Sequence, residues 1–313
     1  MNLVNLFSAV EVLKAGGVVA IPTETVYGLG GWVASPEGLQ KIFSTKERPF
    51  FDPLIVHIPD IETAKTFTTN WTPIHEALAC AAWPGPLTLI ADKTDAVDPL
   101  ITSGLASVGL RCPDHPLTLE LLKKVGGVAA PSANKFGKTS PTTATHVFEE
   151  FGDAVPVLDG GACKVGIEST VAGVKGNVVE IYRPGFFTAK MLKDILLKKG
   201  ISAEVIYAES PVAPGQLKHH YMPKIPLVIV PEDFNWKNDS HKVGNALGKT
   251  FTHPALWDQP RSPELAARSL YESLRRFDLE GHDVIITKRL SSHSGEEWLG
   301  IWNRLEKAKS AEV

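Results

Sequence analysis

Hydroxyls and cations recur together along this chain. Thr23-Glu24-Thr25-Val26-Tyr27 places two hydroxyls, a carboxylate and a phenol within five residues, and Lys46 and Arg48 follow. His57 sits in one apolar run, while Ser107 opens and Arg111 closes another. Ser132, Asn134 and Ser140 lie in PSANKFGKTSP, Thr170 follows Ser169, and Arg183 closes VVEIYR. Small hydroxyls and free amides cradle a phosphate or a carboxylate. Lys46, Arg48, Arg111 and Arg183 around one cavity would suit a substrate set with many negative charges. Each close contact of opposite charge contributes about 4 kcal/mol at an effective dielectric near 20, before desolvation. Taken singly, each is also explained as a surface cation of little energetic weight.

The elements that must position these groups are legible around Gly16–His57. Gly17–Ile21 is a short β-branched run, read as a buried strand that Pro22 stops for want of an amide hydrogen. Residues 23–31 read as a loop whose glycines allow positive φ and a close ligand approach. Ser35-Pro36 starts a helix carrying Leu39, Ile42 and Phe43 inward and ending near Lys46–Pro49, and Pro53–Ile58 is again strand-like. Polar groups gathered at the ends of buried strands are where α/β sheets bind ligands.

Further along, the pattern predicts helices over Val4–Ala15, Ile61–Ala82 with a break near Asn70–Pro73, Pro116–Lys124, Thr142–Phe151 and Phe187–Lys199. Strands are expected at Leu87–Ala91, Ser107–Arg111, Val155–Asp159, the stretch entering Ala172, and Val178–Arg183, with Val97–Ser103 as loop. After Tyr207 the composition shifts. Residues 209–226 hold four prolines without periodicity and read as an ordered linker. Beyond it, strands at Leu227–Val230 and Asp283–Thr287 alternate with helices at Ser262–Phe277 and Glu296–Lys307. The expected domains are 1–206, a linker at 207–226, and 227–313.

At 313 residues, 43% hydrophobic and 21% charged, the chain can bury a core and is long enough for about two domains. A net charge of −3 provides no global basic field for nucleic acid, so any anion site is local. Cys80, Cys112 and Cys163 form no CxxC pair, which argues against a disulfide framework or structural zinc and fits a reducing cytoplasm. No secretory signal or membrane-length apolar run is expected. Val243–Thr250 falls one residue short of a phosphate-binding loop, valine standing where glycine is required, and reads as a surface turn. Gly28-Leu29-Gly30 lacks dinucleotide spacing, and neither a GxSxG elbow nor an HExxH helix occurs. His219-His220, without further ligands, read as polar loop residues, and no protein-held metal is expected.

In order along the chain, PTETVYGLG, Lys46-x-Arg48-Pro49, DPLIVHI, WPGPLTLI, VGLRCPDHP, PSAN with SPT, GIESTV and VEIYRPG resemble the YrdC family. APGQLKHHYMP and SPELAARSLYESLRRFD are similar to the linker and C-terminal domain of its longer, two-domain form. The resemblance implies an α/β fold: a twisted mixed sheet with a concave active site, followed by a smaller Rossmann-like domain. It implies that L-threonine, bicarbonate and ATP, the last with Mg2+, give L-threonylcarbamoyladenylate and pyrophosphate. The product would pass to transfer-RNA-modifying transferase machinery, with transfer RNA itself as a further candidate partner.

By matched position, Thr25, Tyr27, His57, Arg111 and Thr170 resemble threonine-binding residues. Lys46 and Arg48 resemble the catalytic cations facing bicarbonate and phosphates. Arg48, Ser107, Ser132, Asn134, Ser140, Arg183 and Tyr221 resemble nucleotide contacts, with His220 and Tyr221 in a linker over the site. Removal of Lys46 or Arg48 is then expected to abolish turnover with the fold intact. Phe50-Phe51, Phe136 and the tail SHSGEEWLGIWNRLEKA depart from the family pattern. The competing readings are an RNA-binding module, a structural partner of the modifying machinery, and the carbamoyl-adenylate chemistry of hydrogenase maturation.

Overall fold

The computed structural model describes residues 1–208 and 220–313. They fall into two compact units, residues 1–136 with 140–208, and residues 137–139 with 220–313. The expected linker is thus largely outside the described residues, and its last part, from His220, belongs to the second unit.

The first unit runs α1 (Leu6–Lys14), β1 (Val18–Ile21), β2 (Gly28–Trp32), α2 (Pro36–Lys46), β3 (Ile55–His57), α3 (Ile61–Thr66), α4 (Pro73–Ala82) and β4 (Leu87–Asp92). It continues with α5 (Pro99–Thr102), β5 (Ser107–Arg111), α6 (Pro116–Val125), β6 (Val128–Ala129), α7 (Ala144–Phe151), β7 (Thr170–Lys175), β8 (Val178–Arg183), α8 (Ala189–Lys198) and β9 (Glu204–Tyr207). Nine strands form one mixed sheet in the order β1-β2-β6-β3-β5-β4-β7-β8-β9. β3 with β5, β4 with β7 and β8 with β9 are parallel, and the remaining pairs antiparallel.

The α2 helix forms for the reasons read in its sequence. Ser35 Oγ accepts the Gly38 amide at 3.1 Å, Pro36 occupies the first turn, and Glu47 ends the helix in the left-handed region at φ 55°. Leu39, Ile42 and Phe43 are fully buried on the sheet, each contributing about 1.5–3 kcal/mol of burial. Phe7 of α1, in contrast, is 73% exposed, and Ala9, Val10 and Leu13 make the inner face.

The glycine-rich stretch after Tyr27 corrects the expectation of a loop: GLGGW is strand β2, paired with β1 and β6. None of its glycines has positive φ. They are required by packing instead, since a Cβ on Gly31 would lie 2.8 Å from the Gly38 carbonyl oxygen, and one on Gly30 would lie 2.7 Å from Val128. Residues 155–159 are not a strand either; Val157 makes isolated bridges to Leu3 and Ala20. Residues 97–103 contain the short α5.

The second unit contains β10 (Leu227–Pro231), α9 (Trp236–Leu247), β11 (Pro254–Trp257), α10 (Pro263–Leu279), β12 (Val284–Arg289), α11 (Leu299–Ala308) and β13 (Ala311–Glu312). Its four strands are all parallel, in the order β11-β12-β10-β13, as in the Rossmann-like arrangement expected. Residues 243–247 are the last turns of α9, closed by Gly248 at φ 69°, so this segment is a helix end and not the turn read from sequence.

Candidate active site

Strand alternation selects which side chains reach one face of the large sheet. Val56, Leu87, Leu89, Val108, Leu110 and Ala172 belong to the main core. Ile55 and His57, Thr88 and Ile90, Ser107, Gly109 and Arg111, and Val171 therefore lie on the opposite face. Parallel pairing of β3 with β5 sets His57 directly beside Arg111. Arg183 joins them because β8 carries one extra residue: Ala172 pairs with Ile181, but Val171 pairs with Arg183. A bulge of this kind re-aims the side chains beyond it.

The strap Gly166–Thr170 connects the cation-bearing elements. The Val165 and Gly166 amides donate to the carbonyls of Glu24 and Thr25 at 2.7 and 3.2 Å. Ser140 Oγ donates to Glu168 Oε1 at 2.6 Å. Arg183 donates to the Ser169 carbonyl and to Ser169 Oγ, both at 3.1 Å, and Ser169 Oγ meets Thr88 Oγ1 at 2.7 Å. Arg111 Nη2 lies 2.8 Å from Glu24 Oε1, with both side chains about 5% exposed, and Glu24 Oε2 accepts the Asp114 amide. Thr25 is buried, its hydroxyl 2.8 Å from that of Thr23. Tyr27 donates to Asp159 Oδ1 or the Gly161 carbonyl and accepts the Gly160 amide. Its burial pushes the phenol up, so it stays protonated.

Lys46 ends α2, near enough to Arg48 and to Glu168 of the strap for their charges to act on it. The Lys46 ammonium donates to the carbonyls of Ser132 and Asn134, and the Lys46 carbonyl accepts the Phe136 amide at 2.9 Å. The PSAN loop is thus held to the end of α2. Lys46 is 1% exposed, and burial together with neighbouring Arg48 lowers its pKa well below the ordinary lysine value. Asp52, Glu150 and Glu168 oppose that shift. Arg48 Nη2 pairs with Asp52 Oδ2 at 2.9 Å and donates to the Pro53 carbonyl.

The structure therefore gathers Lys46, Arg48, Arg111 and Arg183, with Thr25, Ser132, Asn134 and Ser140, around one strap in one unit. Ser107 stands farther along the same sheet face. Glu24, Asp52, Glu168 and Ser169 complete the arrangement and were missed as site residues. Their signal was their position inside PTETVYGLG, DPLIVHI and GIESTV, beside the residues chosen. Phe50 and Phe51, by contrast, are largely exposed.

Two expected roles change character. Thr170 Oγ1 donates to the Phe187 carbonyl at 3.0 Å and accepts the Phe187 amide at 2.9 Å, so its hydroxyl is engaged in tying β7 to the segment before α8. Thr170→Val is expected to cost about 1–3 kcal/mol through the unpaired backbone groups. A melting curve reads that loss, while KM for the amino acid shifts by less than about threefold. A larger KM effect at unchanged stability would return Thr170 to substrate contact.

His57 is lowered to about 3 by burial and then by Arg111, against the carbonyls of Ile55 and Val128. It is neutral at physiological pH and too weakly basic to take a proton from an ammonium. Below its unfolded pKa near 6.5 the unfolded chain binds a proton that the folded chain does not. His57 therefore removes about 1.4 kcal/mol of stability per pH unit from 6.5 downward, until about pH 3. His57→Gln is expected to flatten the fall of the urea midpoint between pH 6.5 and 5; an unchanged slope would place the charge elsewhere.

In the second unit, Tyr221 has φ 64° and is 1% exposed, packed on Tyr271 with the Arg304 guanidinium 5.6 Å from its ring centre. Its carbonyl accepts Thr139 Oγ1, and His220 stacks edge-on against it. His219 lies outside the described residues. No group of three or more His, Cys, Asp or Glu side chains suited to a metal occurs among the described residues.

Residues 11–185 match the Sua5/YciO/YrdC model, described as telomere recombination, and residues 187–310 match the threonylcarbamoyl-AMP synthase C-terminal domain. The threonylcarbamoyl-AMP synthase of Bacillus subtilis is 36% identical over 97% of this chain and 93% of its own length. That of Pyrococcus abyssi is 34% identical over 96% of this chain and 93% of its own. A crystal structure of P. abyssi Sua5 complexed with L-threonine superposes with a TM-score of 0.85 at 30% identity, covering 100% of both chains. E. coli YciO, at 19% identity, 60% of this chain and 92% of its own, with a TM-score of 0.52, shares the fold. The chain belongs to the Sua5/YciO/YrdC family, in the two-domain form that carries the threonylcarbamoyl-AMP synthase C-terminal domain.

Proposed function

We propose that this chain makes L-threonylcarbamoyladenylate and pyrophosphate from L-threonine, inorganic carbon and ATP. The observation that carries the reading is the gathering of four buried cations and a neutral histidine around one hydroxyl-bearing strap. The threonine-bound relative of the same fold supports the amino acid as one occupant. Carboxylation of the threonine amine yields a carbamate, R–NH–COO−. One of its oxygens attacks the α-phosphorus of ATP, the bond to the β-phosphate oxygen breaks, and pyrophosphate leaves.

Both reactants are anions, so fixed positive charge must screen their approach. Lys46 and Arg48 are suited to the nucleotide and Arg111 to the threonine carboxylate, each from a buried position that water screens little. Arg111 is held in orientation by Glu24, and Arg183 by Ser169. Neutral His57 serves to bind and not to deprotonate. Mg2+ enters with ATP in this reading. Glu24, Asp52 and Glu168 are already engaged by Arg111, Arg48 and Ser140, so they do not make a resident metal site. The activated carbamate would be consumed by a transferase acting on transfer RNA in the cytoplasm. No described helix is long and apolar enough to cross a membrane.

The deciding experiment incubates the protein with ATP, bicarbonate and L-threonine and follows pyrophosphate and the adenylate by chromatography. Threonine-dependent pyrophosphate is expected. Its absence rejects the reading, RNA binding without turnover would favour the binding module, and pyrophosphate without threonine would favour carbamoyl-adenylate chemistry.

A further inference from the structure

A cavity of about 20 Å³ lies on the site face of the large sheet, with Ile55, Thr88, Ile90, Thr102, Ser107 and Gly109 among its lining residues. Ile55 and Gly109 each stand two residues before His57 and Arg111 on the same face, so the cavity is one pleat from the pair that the proposed function assigns to threonine. Thr102, only 1% exposed, is one of its lining residues, and its hydroxyl has no hydrogen-bond partner among the described residues. A buried hydroxyl left unpaired costs about 1–3 kcal/mol, which a small oxygen-bearing occupant would recover. Ile90 and Ser107 also line a neighbouring, wider cleft of about 250 Å³, with Asn70, Asp92, Lys175 and Tyr182.

We propose that this cavity receives CO2, and that CO2 rather than bicarbonate is the species attacked by the threonine amine. The inference rests on the function proposed above. Six of the lining side chains are apolar and none is cationic, so bicarbonate would be an unpaired buried anion, whereas CO2 is neutral. The step balances without a further reactant. The amine nitrogen forms the C–N bond, one C=O π pair moves onto oxygen, and the nitrogen releases one proton to solvent. That proton equals the one consumed when bicarbonate dehydrates to CO2 and water.

The test starts the wild-type reaction with dissolved CO2 or with bicarbonate in the cold, before the two equilibrate, with and without carbonic anhydrase. Immediate threonine-dependent pyrophosphate from CO2, a lag from bicarbonate, and loss of the lag with carbonic anhydrase are expected. The reverse order overturns the proposal. A second arm narrows the cavity with Gly109→Ala, whose Cβ would sit 3.3 Å from Thr88 Cγ2, and removes the unpaired hydroxyl with Thr102→Val. KM for inorganic carbon should rise at least about fivefold in each, with KM for threonine and ATP within about twofold. A shift in the melting curve with unchanged KM values would mean that the cavity holds only a structural water, and equal changes in all three KM values would mean a general distortion. Both results overturn the proposal. If the wild type releases no threonine-dependent pyrophosphate at all, the function itself falls, and this inference with it.

Discussion

Arg111→Ala is expected to unfold the first unit more than any surface substitution, costing about 3–5 kcal/mol. The reason is Glu24. With its partner gone, a carboxylate 4% exposed would keep only the Asp114 amide, and an uncompensated buried charge is more costly than the pair was favourable. For a unit of this size the loss corresponds to a melting shift on the order of 10 °C. The double variant Glu24→Gln, Arg111→Met removes both charges and should regain most of that stability. Threonine-dependent pyrophosphate release should nevertheless stay down by about 10²-fold or more, the usual cost of removing a fixed charge from a transition state. Turnover that recovers together with stability would show that Arg111 is a structural cation and that threonine is held by other groups.

Lys46→Met separates site from scaffold in the opposite sense. Its ammonium is desolvated and its bonds go to two loop carbonyls, while Asp52, Glu150 and Glu168 act on it only as neighbouring charges. Methionine removes the donor to the Ser132 and Asn134 carbonyls, at about 0.5–1.5 kcal/mol for each bond lost, but also relieves the burial of a charge. The melting temperature should therefore move by only a few degrees, whereas kcat/KM for ATP should fall by about 10²–10³-fold. Arg48→Ala differs, because it removes an ion pair at 2.9 Å between two side chains that are each 5% exposed, so a larger loss of stability is expected than for Lys46→Met. Thermal melts of the two variants side by side read that difference.

The Lys46 pKa adds a sign. Burial and Arg48 lower it in the free protein, and a bound polyanion restores the charged form. Binding of ATP should then take up a proton wherever Lys46 is partly neutral, and affinity should weaken as pH rises through that range. Titration calorimetry in two buffers of different ionisation heat reads the uptake; Lys46→Met should abolish it. Proton uptake that persists in the variant would assign the coupling to another group.

How much of this was legible depends on whether a feature is local. The Ser35 cap, the inward stripe of α2, and Ser107 and Arg111 as the two ends of β5 were readable because each depends on neighbours a few residues away. The two-unit division and both fold classes were also accessible, through composition and through ordered motifs. β2 was misread because glycine usually marks a turn. Its strand character depends on Val128, Gly38 and Ile42 pressing close from other elements. The α9 helix was missed because Val243 is its one buried residue, too little apolar periodicity to register.

The chain by itself determined which chemical groups are present, that its cations stand at the ends of regular elements, and which family pattern it follows. Only the tertiary structure decided that Glu24 pairs with Arg111, that the Lys46 amine is spent on the PSAN loop, and that Arg183 faces the site. Those outcomes depend on pairings between residues far apart in the chain and on one extra residue in β8. Local periodicity carries no record of either, because a side chain's partner and facing are set when the sheet closes.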